Sequence, residues 1–174
     1  MDVAALKEFI LKHYRFNLAF AEKLVANVPQ ELMSKGGGPG LENHPSFTLG
    51  HLVTASAMTV EDLGGKYEIP NGWHDLFSRN GPGDPRKPSE DAALYPSKEI
   101  LLTALKRQHE RVEFILEKTD VSILLTSFKW RFNQYFPTTL DLAAYMCITH
   151  ETIHLSQLSA WRRAMGLPSA FATL

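Results

Sequence analysis

Hydrophobic residues recur at helical spacing along four long stretches of the chain. In the first stretch, residues 3–28, the apolar side chains fall largely on one stripe of a helix with 3.6 residues per turn. These side chains are Leu6, Phe9, Ile10, Phe16, Phe20, Leu24 and Val28. Pro29 follows directly, at a place where a helix is expected to stop. The pattern predicts a long amphipathic first helix.

The second and third stretches have clear start and stop signals. The second helix is predicted to begin near Pro45 or Ser46, with Ser46 as its N-cap. It is predicted to end at the glycine pair 64–65, since glycine commonly terminates helices. The third helix is predicted to follow Ser97, another good N-cap. Its apolar stripe runs from Ile100 to Leu116, and charged side chains cover the opposite face.

The fourth stretch predicts the last long helix. Thr138 and Asp141 have the spacing of a capping box, with aspartate in place of the usual glutamate. The helix is predicted to continue to about Met165. Gly166 and Pro168 then give a strong stop signal.

The connections between these helices differ in character. The cluster Gly36–Gly40 predicts a loop, and it lacks the preceding strand and the following Gly-Lys-Ser/Thr of a phosphate-binding loop. Residues 66–97 are rich in proline and glycine and predict a long irregular connection, including Pro82 and Gly83. Such a connection either covers a site or simply crosses the surface between antiparallel helices. The aromatic segment 128–136 predicts a short hairpin or a turn of helix.

The arrangement of these elements predicts an all-α fold. No segment shows convincing β alternation, so we expect a four-helix bundle with a long crossover loop. A length of 174 residues suits one domain, residues 1–174, that buries a full core without disulfides. Any metal ion would then serve function rather than hold the fold together.

Composition and charge exclude several classes of protein. Eighteen basic and nineteen acidic residues give a net charge of −1, which provides no basic excess for nucleic acid. The single cysteine, Cys147, cannot form an internal disulfide and is compatible with a reducing compartment. The N-terminal residues lack the features of a signal peptide, and no apolar run reaches the length of a membrane span. We therefore expect a cytoplasmic protein with no nucleic-acid or membrane partner.

The main candidate chemistry lies on the last helix, at His150 and His154. Histidines four residues apart differ by only about 40° in direction on a helix, so one metal ion can reach both imidazoles. Their face also carries Ala143, Met146, Cys147, Gln157 and Trp161. Because a buried histidine needs a partner, two interpretations remain open. The pair shares a metal ion, or it hydrogen-bonds internally or to buried water.

Among the other histidines, His51 is the best candidate for a third ligand because it lies on an apolar face of the second helix. His13 and His109 have charged neighbours in sequence and are predicted to lie at the surface. His74 lies in the long connection, and His44 precedes the second helix. Three protein ligands with open positions describe a catalytic type of metal site.

The sequence HETIH from His150 to His154 also matches the HExxH motif of zinc proteases, whose glutamate acts as general base. Those enzymes normally take their third ligand from downstream. The twenty residues after His154 contain no His, Asp, Glu or Cys. The sequence therefore disfavours a protease, and Glu151 stays a candidate base or orienting residue.

Three segments of the chain form an ordered set: HPSFTLGHL with His51, HETIHLSQL with His150 and His154, and the closing WRRAMGLP. Together they resemble the DinB/YfiT-like superfamily of small four-helix metalloproteins. The resemblance implies that these three histidines hold a divalent metal, with zinc or nickel most common. It also implies a homodimer. One departure is Ser156, where relatives often have glycine.

The resemblance further implies several functions. Some relatives are thiol-dependent transferases or isomerases that act on a small-molecule substrate, and others resemble hydrolases. A bound metal lowers the pKa of a thiol or of water, and nothing in the sequence chooses between them. A non-catalytic metal- or small-ligand-binding protein and a metal-free helical interaction module remain alternatives. Cys147 is either a fourth ligand or, as we favour, a small buried hydrophobe.

Overall fold

The computed structural model describes residues 2–79, 81 and 84–173, so Pro82 and Gly83 of the predicted irregular connection lie outside the described residues. The helices are α1 (Val3–Val25), α2 (Pro45–Asp62), α3 (Trp73–Phe77), α4 (Lys98–Lys118), α5 (Val121–Leu124), α6 (Thr139–Ala144) and α7 (Glu151–Ala164). A π-helical turn, Tyr145–His150, joins α6 to α7 in one continuous helical run. The described residues contain no strand, which confirms the all-α prediction.

Helix boundaries follow the predicted signals with two exceptions. Ser97 caps α4 through a hydrogen bond from the backbone N–H of Ile100, as predicted. The N-cap of α2 is His44 rather than Ser46, because the His44 ring accepts the N–H of Phe47. Pro45 suits the first position of the helix, because the backbone N–H that proline lacks has no helical partner there. The helix therefore begins at Pro45, one residue before the predicted cap. The other exception is α1, which ends at Val25 rather than Val28.

At the last helix, the capping box of Thr138 and Asp141 is present in full. The run ends at Ala164, and Gly166 follows with a φ of 72°, which glycine adopts without strain.

The long helices pack against one another around a shared core. Helix α2 lies against α4 and α7, and α1 lies against α4 and α7. Two clusters of buried apolar side chains fill the space between these helices. No described helix is long and apolar enough to cross a membrane.

The long connection after α2 is more ordered than the sequence suggested. It contains α3, whose Phe77 is fully buried against α2. Gly50 of α2 permits this packing, because a Cβ there would lie closer than 3.0 Å to the Phe77 ring. The connection therefore reaches the interior of the protein, next to His51.

The aromatic segment before α6 forms neither a regular hairpin nor a helix. An isolated antiparallel bridge joins Ser127 to Thr138, and the N–H of Phe128 donates to the carbonyl of Pro137. Turns fill the space between the two ends, where the Trp130 indole N–H donates to the carbonyl of Phe136. The hairpin-like closure is thus limited to its base.

Candidate metal centre

The structure brings the three predicted histidines together. His51 comes from the first half of α2, His150 from the end of the π-helical turn, and His154 from the first turn of α7. Their ring centroids lie 5.4 Å (His51 to His150), 4.5 Å (His51 to His154) and 4.6 Å (His150 to His154) apart. One donor atom from each lies within 4.8 Å of the other two, in a partly buried position. This group, the histidine triad, could hold a metal ion.

His51 has a fixed orientation. Its Nδ1–H donates to the backbone carbonyl of Phe77, at 2.9 Å. Its ring also stacks on Phe47, with ring centroids 5.8 Å apart and planes at 16°. Because Nδ1 carries the proton, Nε2 keeps a free lone pair for a ligand. The carbonyl of α3 thus selects the tautomer that metal binding requires.

His150 and His154 face each other directly. Their Nε2 atoms are 3.2 Å apart, and their Nδ1 atoms are buried with no hydrogen-bond partner among the described residues. Two nitrogens bound to one tetrahedral zinc at 2.0–2.1 Å would be separated by about 3.3 Å. The observed distance therefore suits a shared ion, and it also suits a direct hydrogen bond in the metal-free protein.

All three imidazoles are electrically neutral near pH 7. Burial lowers the pKa of His51, and Arg79 lowers it further. Burial, with the charges of His51 and Arg131, lowers the pKa of His150 to about 4. Burial, with His51 and His150, lowers the pKa of His154 to about 2. A metal ion would therefore meet three neutral imidazoles and would displace no net proton from them.

The π-helical turn separates Cys147 from the triad. Cys147 and His150 both lie in this turn, and because a π turn takes more residues per revolution than an α turn, side chains three residues apart diverge more than in an α-helix. Cys147 consequently lies in the core cluster with Leu11 and Tyr14, 1% exposed, and is not one of the triad's donors. This agrees with its interpretation as a small buried hydrophobe.

One polar side chain from another helix contacts the π-helical turn. Asn17 of α1, 5% exposed, donates from its side-chain amide to the carbonyl of Cys147 at 3.1 Å. Wide turns leave backbone groups without their usual helical partners, and a side chain can supply the missing bond. Asn17 therefore helps to hold the turn that presents His150.

We expect Asn17→Leu to weaken zinc binding about tenfold, as loss of outer-shell support typically does. Leucine keeps the volume of the side chain but cannot donate to the Cys147 carbonyl. Affinity is measured by competition with a chromophoric chelator. Thr59→Val is the matched control, because it also removes a buried hydrogen bond, to the carbonyl of Ala55 on α2. Equal affinity in Asn17→Leu and wild type would show that the turn holds without Asn17.

Glu151 lies next to His150 in sequence but faces a different part of the protein. Its Oε1 is 2.9 Å from Nε2 of His109 on α4, and the two side chains are 3% and 1% exposed. Tyr14 stacks on the His109 ring, with centroids 3.6 Å apart. Burial raises the pKa of Glu151, and the nearby His109 opposes that rise.

The surface position predicted for His109 is wrong. The charged residues beside it in sequence lie on other faces of α4, while His109 itself points inward with Leu105 and Val112. Glu151 is accordingly sequestered with His109, away from solvent. This position suits an orienting residue that fixes α7 against α4 better than a general base, which needs access to substrate.

The remaining histidines lie outside the triad. His44 is fully buried as the cap of α2, and His74 is exposed on α3, where its ring contacts the Tyr67 hydroxyl. His13 is partly exposed on α1. A surface groove of about 540 Å³ lies between α4 and residues 68–70, and its walls include none of the triad.

The helical fold and the cluster of three neutral imidazoles place this protein in the class of helical proteins with a histidine site that could hold a metal ion. The chain matches the DinB superfamily over residues 13–158 and belongs to that superfamily. Membership confirms the resemblance seen in the sequence. Comparisons with curated proteins and with solved structures gave no match.

Proposed function

We propose that this protein is a divalent-metal-dependent enzyme that activates a low-molecular-weight thiol for transfer to a small electrophile. The metal, zinc or nickel, would be held by His51, His150 and His154. The observation that supports this most is the convergence of three neutral imidazoles within 4.8 Å of one another at a partly buried position. Hydrolysis at the same centre is the second reaction that this donor set supports.

The donor set suits an open metal site. Three nitrogen ligands leave at least one position for a substrate atom, as in catalytic zinc sites. A bound divalent ion supplies the charge that lowers the pKa of a thiol or of water. The protein's own part is to orient the imidazoles: the Phe77 carbonyl fixes His51, and the π-helical turn presents His150 beside His154.

The reacting thiol would come from solution. Cys147 is the only cysteine in the sequence, and it is buried in the core. Burial also raises the pKa of its thiol well above the ordinary value, so little thiolate forms at neutral pH. The side chain therefore does not supply the nucleophile, which favours a small-molecule thiol as co-substrate.

Metal content and thiol chemistry of untagged, freshly purified protein test this proposal together. We expect near-stoichiometric zinc or nickel by elemental analysis. We also expect the metal-loaded protein to accelerate transfer of a small thiol to a model electrophile at pH 7, relative to chelator-treated protein. Protein that holds no metal even after supplementation would contradict the proposal.

The alternative is a non-catalytic metal- or small-ligand-binding protein. It draws support from the surface groove between α4 and residues 68–70, which is formed by residues outside the triad. X-ray absorption of the metal-loaded protein separates the two. A coordination shell that added thiol or substrate leaves unchanged would favour the binding protein, and exchange of a ligand would favour the enzyme.

The proposal includes a cytoplasmic homodimer. Exposed aromatic side chains on α1 and α4, Phe9, Phe16 and Phe114, offer apolar surface for self-association. Light scattering after size exclusion measures the mass in solution, and a monomer at all concentrations would remove this part of the proposal.

A further inference from the structure

Two arginine side chains lie close to the triad and come from different connections. Arg79 follows α3, and its guanidinium carbon is 4.0 Å from the centre of the Phe47 ring. That ring in turn stacks on His51. A cation held on an aromatic face keeps the hydrogen-bond donors in the plane of its guanidinium, of which Nη1 here donates to the carbonyl of Ser78.

Arg131 comes from the aromatic connection before α6. Its Nη1 lies beside Gly81, two residues after Arg79 in the chain. A Cβ added at Gly81 would be 3.5 Å from that nitrogen. Its guanidinium also lies over the Phe132 ring, at 5.1 Å. Its charge contributes to the lowered pKa of His150, as that of Arg79 does for His51. The two guanidinium groups thus act on two different members of the triad.

Carboxylates balance these two charges only in part within the described part of the chain. Neither Arg79 nor Arg131 forms an ion pair there. Asp84 is the acidic group that acts on Arg79, and it is shared with Arg86, with which it forms a bidentate pair. The triad itself is neutral, so a divalent ion would bring two more positive charges to the same region. Concentrated positive charge beside the partly buried triad, from the half-buried Arg79 and the exposed Arg131, attracts an anionic ligand.

We propose that Arg79 and Arg131 form an anion-binding subsite beside the triad, and that the thiol or substrate used here carries a carboxylate. The planar fork of arginine matches the two oxygens of a carboxylate. A compact molecule with a thiol at one end and a carboxylate a few bonds away would occupy the metal and the subsite together. The metal end of this assignment rests on the proposed function.

A pair of thiols that differ only in charge tests the subsite. Protein loaded with cobalt(II) is titrated with 3-mercaptopropionate and with 3-mercaptopropionamide, and the thiolate-to-cobalt absorption band reports binding. We expect the carboxylate thiol to bind about tenfold more tightly in wild type. Arg79→Gln/Arg131→Gln should bring the two affinities together. Arg163→Gln, an exposed arginine late in α7, should keep the preference.

The outcomes separate the subsite from the metal chemistry. Equal affinities for the two thiols in wild type would overturn the subsite and leave metal–thiol binding intact. No absorption band with cobalt bound would contradict thiol activation. In that case the subsite is still tested by calorimetry. The affinities of propionate and propionamide are compared in the wild type and in the double arginine variant. Inorganic phosphate that competes better than propionate would overturn the assignment to carboxylates.

Discussion

Replacing His150 and His154 together by alanine is expected to abolish metal binding. Each imidazole supplies one of the three donors, and a single remaining nitrogen cannot hold zinc against water and buffer. We expect the affinity to fall by at least about a thousandfold, since structural zinc sites derive their large binding free energy from the full ligand set. Elemental analysis of the untagged variant and chelator competition measure the loss.

The matched control for this variant is His13→Ala/His74→Ala. It removes two histidines from the exposed or partly exposed surface and should leave metal content unchanged. Circular dichroism on both proteins confirms that the helices persist. Wild-type stoichiometry in the His150→Ala/His154→Ala variant would place the metal elsewhere and contradict the proposed centre.

Gly50→Ala is expected to damage both stability and the metal site. The new Cβ would come closer than 3.0 Å to three atoms of the Phe77 ring, which is fully buried. Either α3 moves outward or the core repacks, at a cost of about 1–3 kcal/mol. Movement of α3 also withdraws the Phe77 carbonyl from Nδ1 of His51, so we expect zinc affinity to fall as well.

Urea unfolding and chelator competition measure the two effects of Gly50→Ala separately. Gly64→Ala is the control: Gly64 has a φ of 91° and open space around it, so alanine costs about 1 kcal/mol of backbone strain. That variant should lose some stability and no zinc affinity. Adding Phe77→Leu to Gly50→Ala should restore part of the stability. If Gly50→Ala unfolds like wild type, the close packing of α3 is not a constraint.

The pairing of His150 with His154 was predictable from the sequence because it depends only on helix geometry. His51 was predictable in part, since its apolar helical face indicated burial but not a meeting with the last helix. His109 shows where this reasoning failed. Its spacing from Leu105 and Val112 follows the buried stripe of α4, and this signal outweighs the charged residues beside it in sequence.

Two features that shape the centre left no clear signal in the sequence. A π-helical turn differs from an α turn only in hydrogen bonds that reach one residue further. Here it is supported by Asn17, which lies 130 residues from Cys147 in sequence. Likewise, α3 is only five residues long and is held in place by the contact of Phe77 with Gly50. Both depend on contacts between distant segments rather than on local preference.

Local sequence is enough to predict the all-α class, the caps of α4 and α6, and the pair of histidines on one helical face, because each depends on residues within one or two helical turns. The packing of helices against one another sets which histidine completes the triad, which tautomer His51 adopts, and which way Glu151 faces. Those properties depend on burial and on hydrogen bonds from other helices, which form only when distant segments pack together.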